Sequence, residues 1–288
     1  MARISSLLRL NARVAKLAVS GRWMSREDYR RGYDSVAPSY DTTWLKNLVA
    51  VTDDLVSRIP CLDSSSPIIE LGCGTGYSTE KLSRKFPDNR IFASDISENM
   101  LSAAEKRTAG TKKISYSRSD MLDFLHKWKK EAPAMIYSSW AIGYSKPPEI
   151  IKLSSRMLKK NGVFAFVVNL EDTLKPVFDA FQSCMLEYPG KVEKALWPSF
   201  PKSLASTLVL LEKNGFTVEW KEEGSKQITP PEGILITDWL LQTGILAGFD
   251  SVLPIKDDPE VKDFFEKRLQ KGRDLIKHHY IAVVAVKR

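Results

Sequence analysis

A short stretch of this 288-residue chain concentrates the residue types that could hold a charged organic ligand. Glu70 is followed by Leu71 and then by Gly72-Cys73-Gly74-Thr75-Gly76. Glycine tolerates positive φ and lets a backbone approach a ligand closely. The spacing is GxGxG, and Tyr77 falls where a dinucleotide fingerprint would carry its third glycine. A carboxylate at Glu70 repels a pyrophosphate and suits a positively charged amino-acid group. Asp95 lies at the end of the next apolar run, where one carboxylate can accept from both hydroxyls of a ribose. Asp120 ends the run after that and could accept from an adenine amino group. The alternative readings are Asp95 as an N-cap for a helix starting near Ser97, and the glycines as a tight strand-to-helix turn.

Those residues need a frame. Ile68–Leu71, Ile91–Ser94, Ile114–Ser117, Ala134–Ser138 and Gly162–Asn169 read as strands. Tyr77–Phe86, Glu98–Arg107 and Glu149–Leu158 read as helices between them. Such alternation predicts an α/β fold with a mostly parallel sheet covered on both faces. Ligands of such sheets bind beyond the carboxyl ends of the strands. Two further strands, about Thr217–Lys221 and Tyr280–Val286, would complete a seven-stranded Rossmann-like sheet.

Composition excludes several classes. Hydrophobic residues make up 43% of the chain, enough for a packed core. No apolar run approaches the roughly 18 residues of a spanning helix. Cys61, Cys73 and Cys184 form no CxxC pair, and HExxH is absent, so no metal site is expected. The net charge is +8, from 43 basic and 35 acidic residues. Six of the excess positive charges (Arg3, Arg9, Arg13, Lys16, Arg22 and Arg26) fall in residues 1–26, which hold no acid; 8 − 6 leaves +2 for the rest. A near-neutral body argues against nucleic acid as partner. Residues 27–288 are then expected to form one catalytic domain, preceded by residues 1–26. Within that first segment, Ala2–Ser20 reads as a basic amphipathic helix. Ile4, Leu7, Leu8, Leu10, Val14 and Leu17 gather on one broad face, with Arg9, Arg13 and Lys16 opposite. Three uses compete: a lid, contact of residues 1–20 with an anionic membrane surface, or a mitochondrial presequence. A cytoplasmic protein is expected, or a mitochondrial one in the last case.

The constellation resembles the class I S-adenosylmethionine-dependent methyltransferases, over roughly residues 33–169. Ile68–Gly76 is similar to the first motif of that family, Phe92–Ser97 to the second, Ser119–Met121 to the third, and Leu158–Gly162 to the turn before strand five. The resemblance implies S-adenosylmethionine as cofactor and an antiparallel last strand. It assigns Glu70, Gly72, Cys73, Gly74 and Gly76 to the amino-acid cradle and Asp95 to the ribose. Ile96 would form an adenine wall, Asp120 and Met121 the adenine edge, and Ser138 would join the cofactor site. Tyr33–Asp41 is similar to a segment of quinone methyltransferases that closes over the donor, with Tyr40 near the transferred methyl group.

The acceptor is less legible. The Asn/Asp-Pro-Pro-Tyr/Phe motif of many base and amide methyltransferases is absent after strand four, where Trp140 and Tyr144 stand instead. Trp140–Arg156, Asn169–Leu174 and Trp197–Phe216 resemble a narrower group: malonyl-carrier-protein and trans-aconitate methyl-ester enzymes, and mitochondrial methyltransferase-like assembly factors. Helical insertions at about 171–200 and 225–279, with an apolar run at Ile234–Leu246 and a charged helix at Pro259–Ile276, would build a lid and acceptor pocket. The expected function is methyl transfer to a small or carrier-bound acyl acceptor, carboxylate O-methylation being preferred to a quinone-type reaction. Tyr40 and Tyr144 are the catalytic candidates. Rival readings are an NAD-dependent oxidoreductase, against which Glu70 and the GxGxG spacing argue, and a protein-binding assembly factor.

Overall fold

The computed structural model of the chain describes residues 2–63, 65–196 and 200–288, with side chains from residue 5 onward. Ile4 of the expected apolar face and Trp197, which opens one of the resembling segments, therefore lie outside the described side chains. In chain order the elements are α1 (Ala2–Val19), α2 (Arg26–Thr43), α3 (Val49–Arg58), β1 (Ile68–Leu71), α4 (Tyr77–Lys85), β2 (Ile91–Asp95), α5 (Glu98–Arg107) and β3 (Ile114–Arg118). There follow α6 (Met121–Lys127), β4 (Met135–Ser139), α7 (Pro147–Met157), β5 (Val163–Asn169), α8 (Lys175–Glu187), α9 (Leu204–Lys213), β6 (Phe216–Gln227), α10 (Ile236–Leu241), α11 (Pro259–Gln270) and β7 (Lys277–Lys287). They fall into two compact units. Met1–Trp44, Leu174–Trp197 and Lys226–His278 form the first; Leu45–Thr173, Pro198–Ser225 and His279–Arg288 form the second.

The second unit holds the sheet, in the order β3-β2-β1-β4-β5-β7-β6. Strands β1 to β5 pair in parallel, and β7 runs antiparallel to β5, with Val163 opposite Val286 and Asn169 opposite Tyr280. All seven residues of β5 are buried, as a strand covered on both faces requires. Successive residues feed opposite cores. Ile69, Ile136, Phe164 and Phe166 pack with Leu122 of α6, Ile150 of α7 and Leu211 of α9. Ile68, Met135, Tyr137 and Ala165 pack with Leu55 of α3 and Leu82 of α4 on the other face. The chain order reverses between β1 and β4, so the open end of β1 lies at the switch point where such sheets bind ligands.

Strand β6 runs six residues beyond the expected Lys221. Its continuation, Glu222–Gln227, is charged and looks like loop, but an edge strand keeps polar side chains on its open side. Gly224 explains why it can continue. A Cβ there would lie 2.4 Å from the Tyr280 ring, whose hydroxyl donates to Glu222 Oε1 at 3.0 Å.

In the first unit, α2 begins at a capping box: Ser25 Oγ accepts from Asp28 N and Asp28 Oδ2 accepts from Ser25 N. Asp28 is buried, which raises its pKa, but Lys194, Ser25 and Arg31 outweigh burial and hold the carboxyl well below the usual range. The apolar run at 234–246 yields only a six-residue helix, α10. It is capped at Gln242, and just beyond it Gly244 receives the rings of Tyr33 and Tyr40: a Cβ there would be 2.9 and 3.1 Å from them. The charged run beginning at Pro259 ends as α-helix at Gln270, with one 3-10 turn at Arg273–Leu275.

Helix α10 is held at its start by a carboxylate from another helix. Glu266 of α11 accepts from the backbone N–H groups of Ile236 (3.2 Å) and Thr237 (2.8 Å), from the Thr237 hydroxyl (2.7 Å) and from Gln270 Nε2 (2.6 Å). Burial raises the Glu266 pKa, but these donors outweigh it and leave the carboxyl below its ordinary value. Its contribution is therefore present at neutral pH and is lost as pH falls through the depressed pKa. Glu266→Ala is expected to cost about 2–3 kcal/mol near pH 7, by stranding buried donors. Chemical denaturation at pH 7 and at acid pH should show the difference between variant and parent shrinking on acidification.

Candidate functional site

The candidate site lies in the second unit, at the open end of β1. The three loop glycines all take left-handed φ: +69° at Gly72, +53° at Gly74 and +80° at Gly76. Gly72 is required by packing, since a Cβ would lie 2.3 Å from the Ala141 side chain. Gly74 differs: nothing lies within 4 Å of the position a Cβ would take. The loop backbone is therefore open at Gly74, where a ligand can approach it directly.

Asp95 holds the loop in this shape. Its Oδ2 accepts from Gly74 N at 2.9 Å and its Oδ1 from Ser97 N at 2.9 Å. Ser94 O accepts from both Gly72 N (2.8 Å) and Cys73 N (3.0 Å). The cap of α5 is supplied by Ser97, whose Oγ accepts from Met100 N. Asp95 is thus the loop's anchor, one carboxylate fixing both the glycine loop and the start of the following turn.

Beneath the loop, Glu70 is buried, with 1% of its surface exposed. Its Oε1 accepts from the Ser78 hydroxyl at 2.6 Å, and its Oε2 has no hydrogen-bond partner among the described residues. Burial pushes the carboxyl up to about 7, against the opposing effect of the Ser78 and Thr79 hydroxyls, and the nearby Asp95 adds to the rise. Among the described residues two more buried oxygens there make no well-formed hydrogen bond: the Tyr137 hydroxyl and Thr79 Oγ1, the latter near enough to Glu70 to favour its charged form. Unsatisfied buried polar atoms are uncommon and costly. An acceptor and two hydroxyls grouped at the end of the central strand fit a cationic, hydrogen-bonding ligand.

The other sequence candidates are placed as follows. The Cys73 side chain is buried against Ala93, Leu101 and Tyr116, so this residue faces the loop with its backbone; burial holds its thiol well above the ordinary pKa. Ile96 is half-buried in the turn after Asp95. Asp120 N-caps α6, its Oδ1 accepting from Leu122 N at 2.9 Å, and Met121 packs on the core under that helix. Ser119 N donates to Asp95 O at 2.9 Å and ties the two strand ends together. Ser138 is fully buried and its hydroxyl donates to Leu71 O at 2.8 Å, fixing β4 to the end of β1. Trp140 takes φ +62°; its indole N–H donates to Thr52 Oγ1 and its ring packs edge-on against Tyr280. Tyr144 lies in a 3-10 turn, its ring edge-on to Phe200. Tyr40 belongs to α2 of the first unit.

Sequence reading missed Ser78, Thr79 and Tyr137, which surround Glu70. It also missed Arg107, whose Nε donates to Thr75 O at 2.9 Å and steadies the loop from α5. The available signal was the Ser-Thr pair in the first turn of α4, directly after the glycines.

Glu70 makes stability pH-dependent in a stated direction. Its folded pKa lies above the ordinary 4.5, so the folded chain binds more protons than the unfolded one between about 4.5 and about 7. Stability is therefore expected to fall as pH rises through that window, by up to about 3 kcal/mol. Glu70→Gln should flatten this slope in denaturation curves taken from pH 4 to pH 8; an unchanged slope would remove Glu70 as its source.

Residues 68–162 match the family model described as a methyltransferase domain. The chain is 28% identical over 141 residues to a malonyl-[acyl-carrier protein] O-methyltransferase of Halalkalibacterium halodurans, covering 47% of this chain and 50% of that protein. It is 32% identical over 105 residues to a trans-aconitate 2-methyltransferase of Sinorhizobium fredii, covering 36% and 37%. The chain thus spans half or less of the length of these curated relatives. Among solved structures, it resembles the geranyl diphosphate C-methyltransferase of Streptomyces coelicolor with a TM-score of 0.51 at 14% identity, over 83% of this chain and 79% of that one. It also resembles a chain from a complex of a Haloferax volcanii methyltransferase activator with a methyltransferase, with a TM-score of 0.54 at 18% identity, over 90% and 96%. At these identities the structural likeness concerns the fold. The domain match places a methyltransferase domain over the glycine loop and the strands around it, and the fold of the chain is that of the methyltransferases it resembles.

Proposed function

We propose that the chain transfers a methyl group from S-adenosylmethionine to a small organic acceptor, with an acyl-type carboxylate preferred. The observation that carries this reading is the partnerless Glu70 Oε2 beneath a loop that is open at Gly74 and anchored by Asp95. When bound, the cofactor supplies a methyl group already activated by the positive sulfonium. The chain's own residues then have three tasks. Glu70, with Thr79 and Tyr137 beside it, accepts from the ligand's ammonium group. Asp95 keeps the loop in register and accepts from the ribose diol. Asp120, Met121 and Ile96 flank the adenine. Catalysis is then chiefly positioning for an in-line displacement, and a carboxylate acceptor requires no general base.

A cavity of the second unit supports the acyl preference. It encloses about 360 Å³ and is lined by Ile142, Ile151, Phe166 and Phe200, with the exposed Lys202 and Lys213 among its walls. Ile142 directly follows Ala141, the residue that abuts Gly72. Apolar walls with two ammonium groups favour an apolar acceptor that carries an acid. The names of the relatives, a malonyl-carrier-protein O-methyltransferase and a trans-aconitate methyltransferase, point the same way.

Calorimetric titration should give micromolar binding of S-adenosylmethionine and S-adenosylhomocysteine and none of NAD. Failure of both sulfur ligands to bind a folded sample would end this reading. Asp95→Ala should weaken donor binding at least about tenfold. It should also cost about 1–3 kcal/mol of stability, because Gly74 N and Ser97 N lose their acceptor. In an acceptor screen of free and carrier-bound short acyl acids, Lys202→Glu/Lys213→Glu should raise KM about tenfold with kcat little changed, as loss of ground-state attraction does. An unchanged KM would remove the cavity as the acceptor site.

A further inference from the structure

We propose that the outward face of α1, with the exposed Arg22 and Trp23 that follow it in the chain, docks on an anionic lipid bilayer. The helix has two apolar faces, where the sequence suggested one. Leu10 and Leu17 are buried, at 7% and 2% exposure, and Arg13 Nε donates to Val192 O at 2.8 Å. This side holds α1 against α8 and the turn at Pro189–Lys191, all within the first unit. On the other side Leu8, Ala12, Ala15 and Val19 follow one another at i, i+4, i+7 and i+11, and all four are exposed. Such spacing draws a single stripe along a helix. Leu8 is 65% and Val19 91% exposed.

The concentration of such side chains singles this segment out. Among the described residues, four of the eight exposed large hydrophobic side chains are Leu7, Leu8, Val19 and Trp23. Exposed apolar side chains scattered singly need no explanation; a contiguous set marks an interaction surface. Arg9 and Lys16 border the stripe and Arg22 follows the helix. None of these three cations is in an ion pair among the described residues, and no acid precedes Glu27.

Charge selects the occupant. A second copy of this face would set Arg9, Lys16 and Arg22 against their own likes. An anionic bilayer offers what the face lacks: a continuous negative potential for the cations and a boundary layer that receives Leu8, Val19 and the Trp23 ring to shallow depth. Tryptophan is enriched at that boundary. The stripe is too interrupted by charge to cross the bilayer, and no described helix is long and apolar enough to span one.

The test is co-sedimentation of the full chain with vesicles of phosphatidylcholine alone and of phosphatidylcholine with phosphatidylserine. Partition is expected to be at least about tenfold greater for the anionic vesicles and to fall as salt is raised. Leu8→Asp/Val19→Asp and, separately, Arg9→Glu/Lys16→Glu/Arg22→Glu should each reduce it about tenfold or more. Helix content and S-adenosylmethionine affinity should remain at the parent level, because the substituted side chains are exposed and lie outside the donor site. No binding to anionic vesicles, equal binding to both lipids, or unaltered binding by both variants would overturn the proposal. Self-association through this face in place of vesicle binding would overturn it too.

Discussion

A carboxylate at the end of the central strand is the constraint from which the site follows. Glu70 sits on a strand buried on both faces, where an ionised group without full compensation is expensive. Ser78 satisfies one oxygen and leaves the other bare. The chain keeps this cost at the point where its glycine loop opens, which is where a cationic ligand would relieve it. The loop, in turn, has the shape that brings its backbone to that point only because Asp95 and Ser94, on the neighbouring strand, hold its N–H groups. A loop this rich in glycine has many conformations available, and the parallel pairing of β1 with β2 removes most of them.

The sheet supplies the rigidity that this arrangement needs. Alternate residues of β1, β4 and β5 serve two separate cores, so that each strand is clamped between helices. Small polar side chains do the local fastening at the ligand end: Ser138 joins β4 to β1, Ser119 N joins the third strand to Asp95, and Arg107 grips the loop from α5. None of these need touch a ligand. Their effect is to fix the positions of Glu70 and Asp95, which is what a reaction governed by alignment requires of its protein.

The first unit draws on three separate stretches of chain, and its polar fastenings are of a different kind. Buried carboxylates reach across sequence to cap or clamp helices, Glu266 at the start of α10 and Asp28 between Ser25, Arg31 and Lys194. This unit carries the exposed, basic face of α1 on one side of the helix and a packed face on the other. Leu8 and Leu17 stand about half a turn apart round the helix, so spacing separates the two faces, and the neighbours α8 and Pro189–Lys191 decide which of them is packed.

Much of the sheet was legible in the residues themselves. Ile68–Leu71 and Glu98–Arg107 carry the expected boundaries, and β2 to β5, α4 and α7 shift at their ends by one or two residues, because apolar runs bounded by glycine, proline and capping residues report local backbone preference directly. The loop glycines, Asp95 and Glu70 were legible for the same reason: their types and spacing are local. What needed the tertiary structure depended on who the neighbours are. That Cys73 turns into an apolar cluster, that Ser138 is spent on a carbonyl, and that Thr79 and Tyr137 gather round Glu70 are outcomes of strand pairing between residues up to 67 positions apart. The tyrosine ring over Gly224 in β6 and the two rings over Gly244 beyond α10 are likewise contacts with distant or separately folded segments. Hydrophobic period and capping chemistry are written along the chain, whereas the partner of a buried polar atom exists only once distant segments have packed.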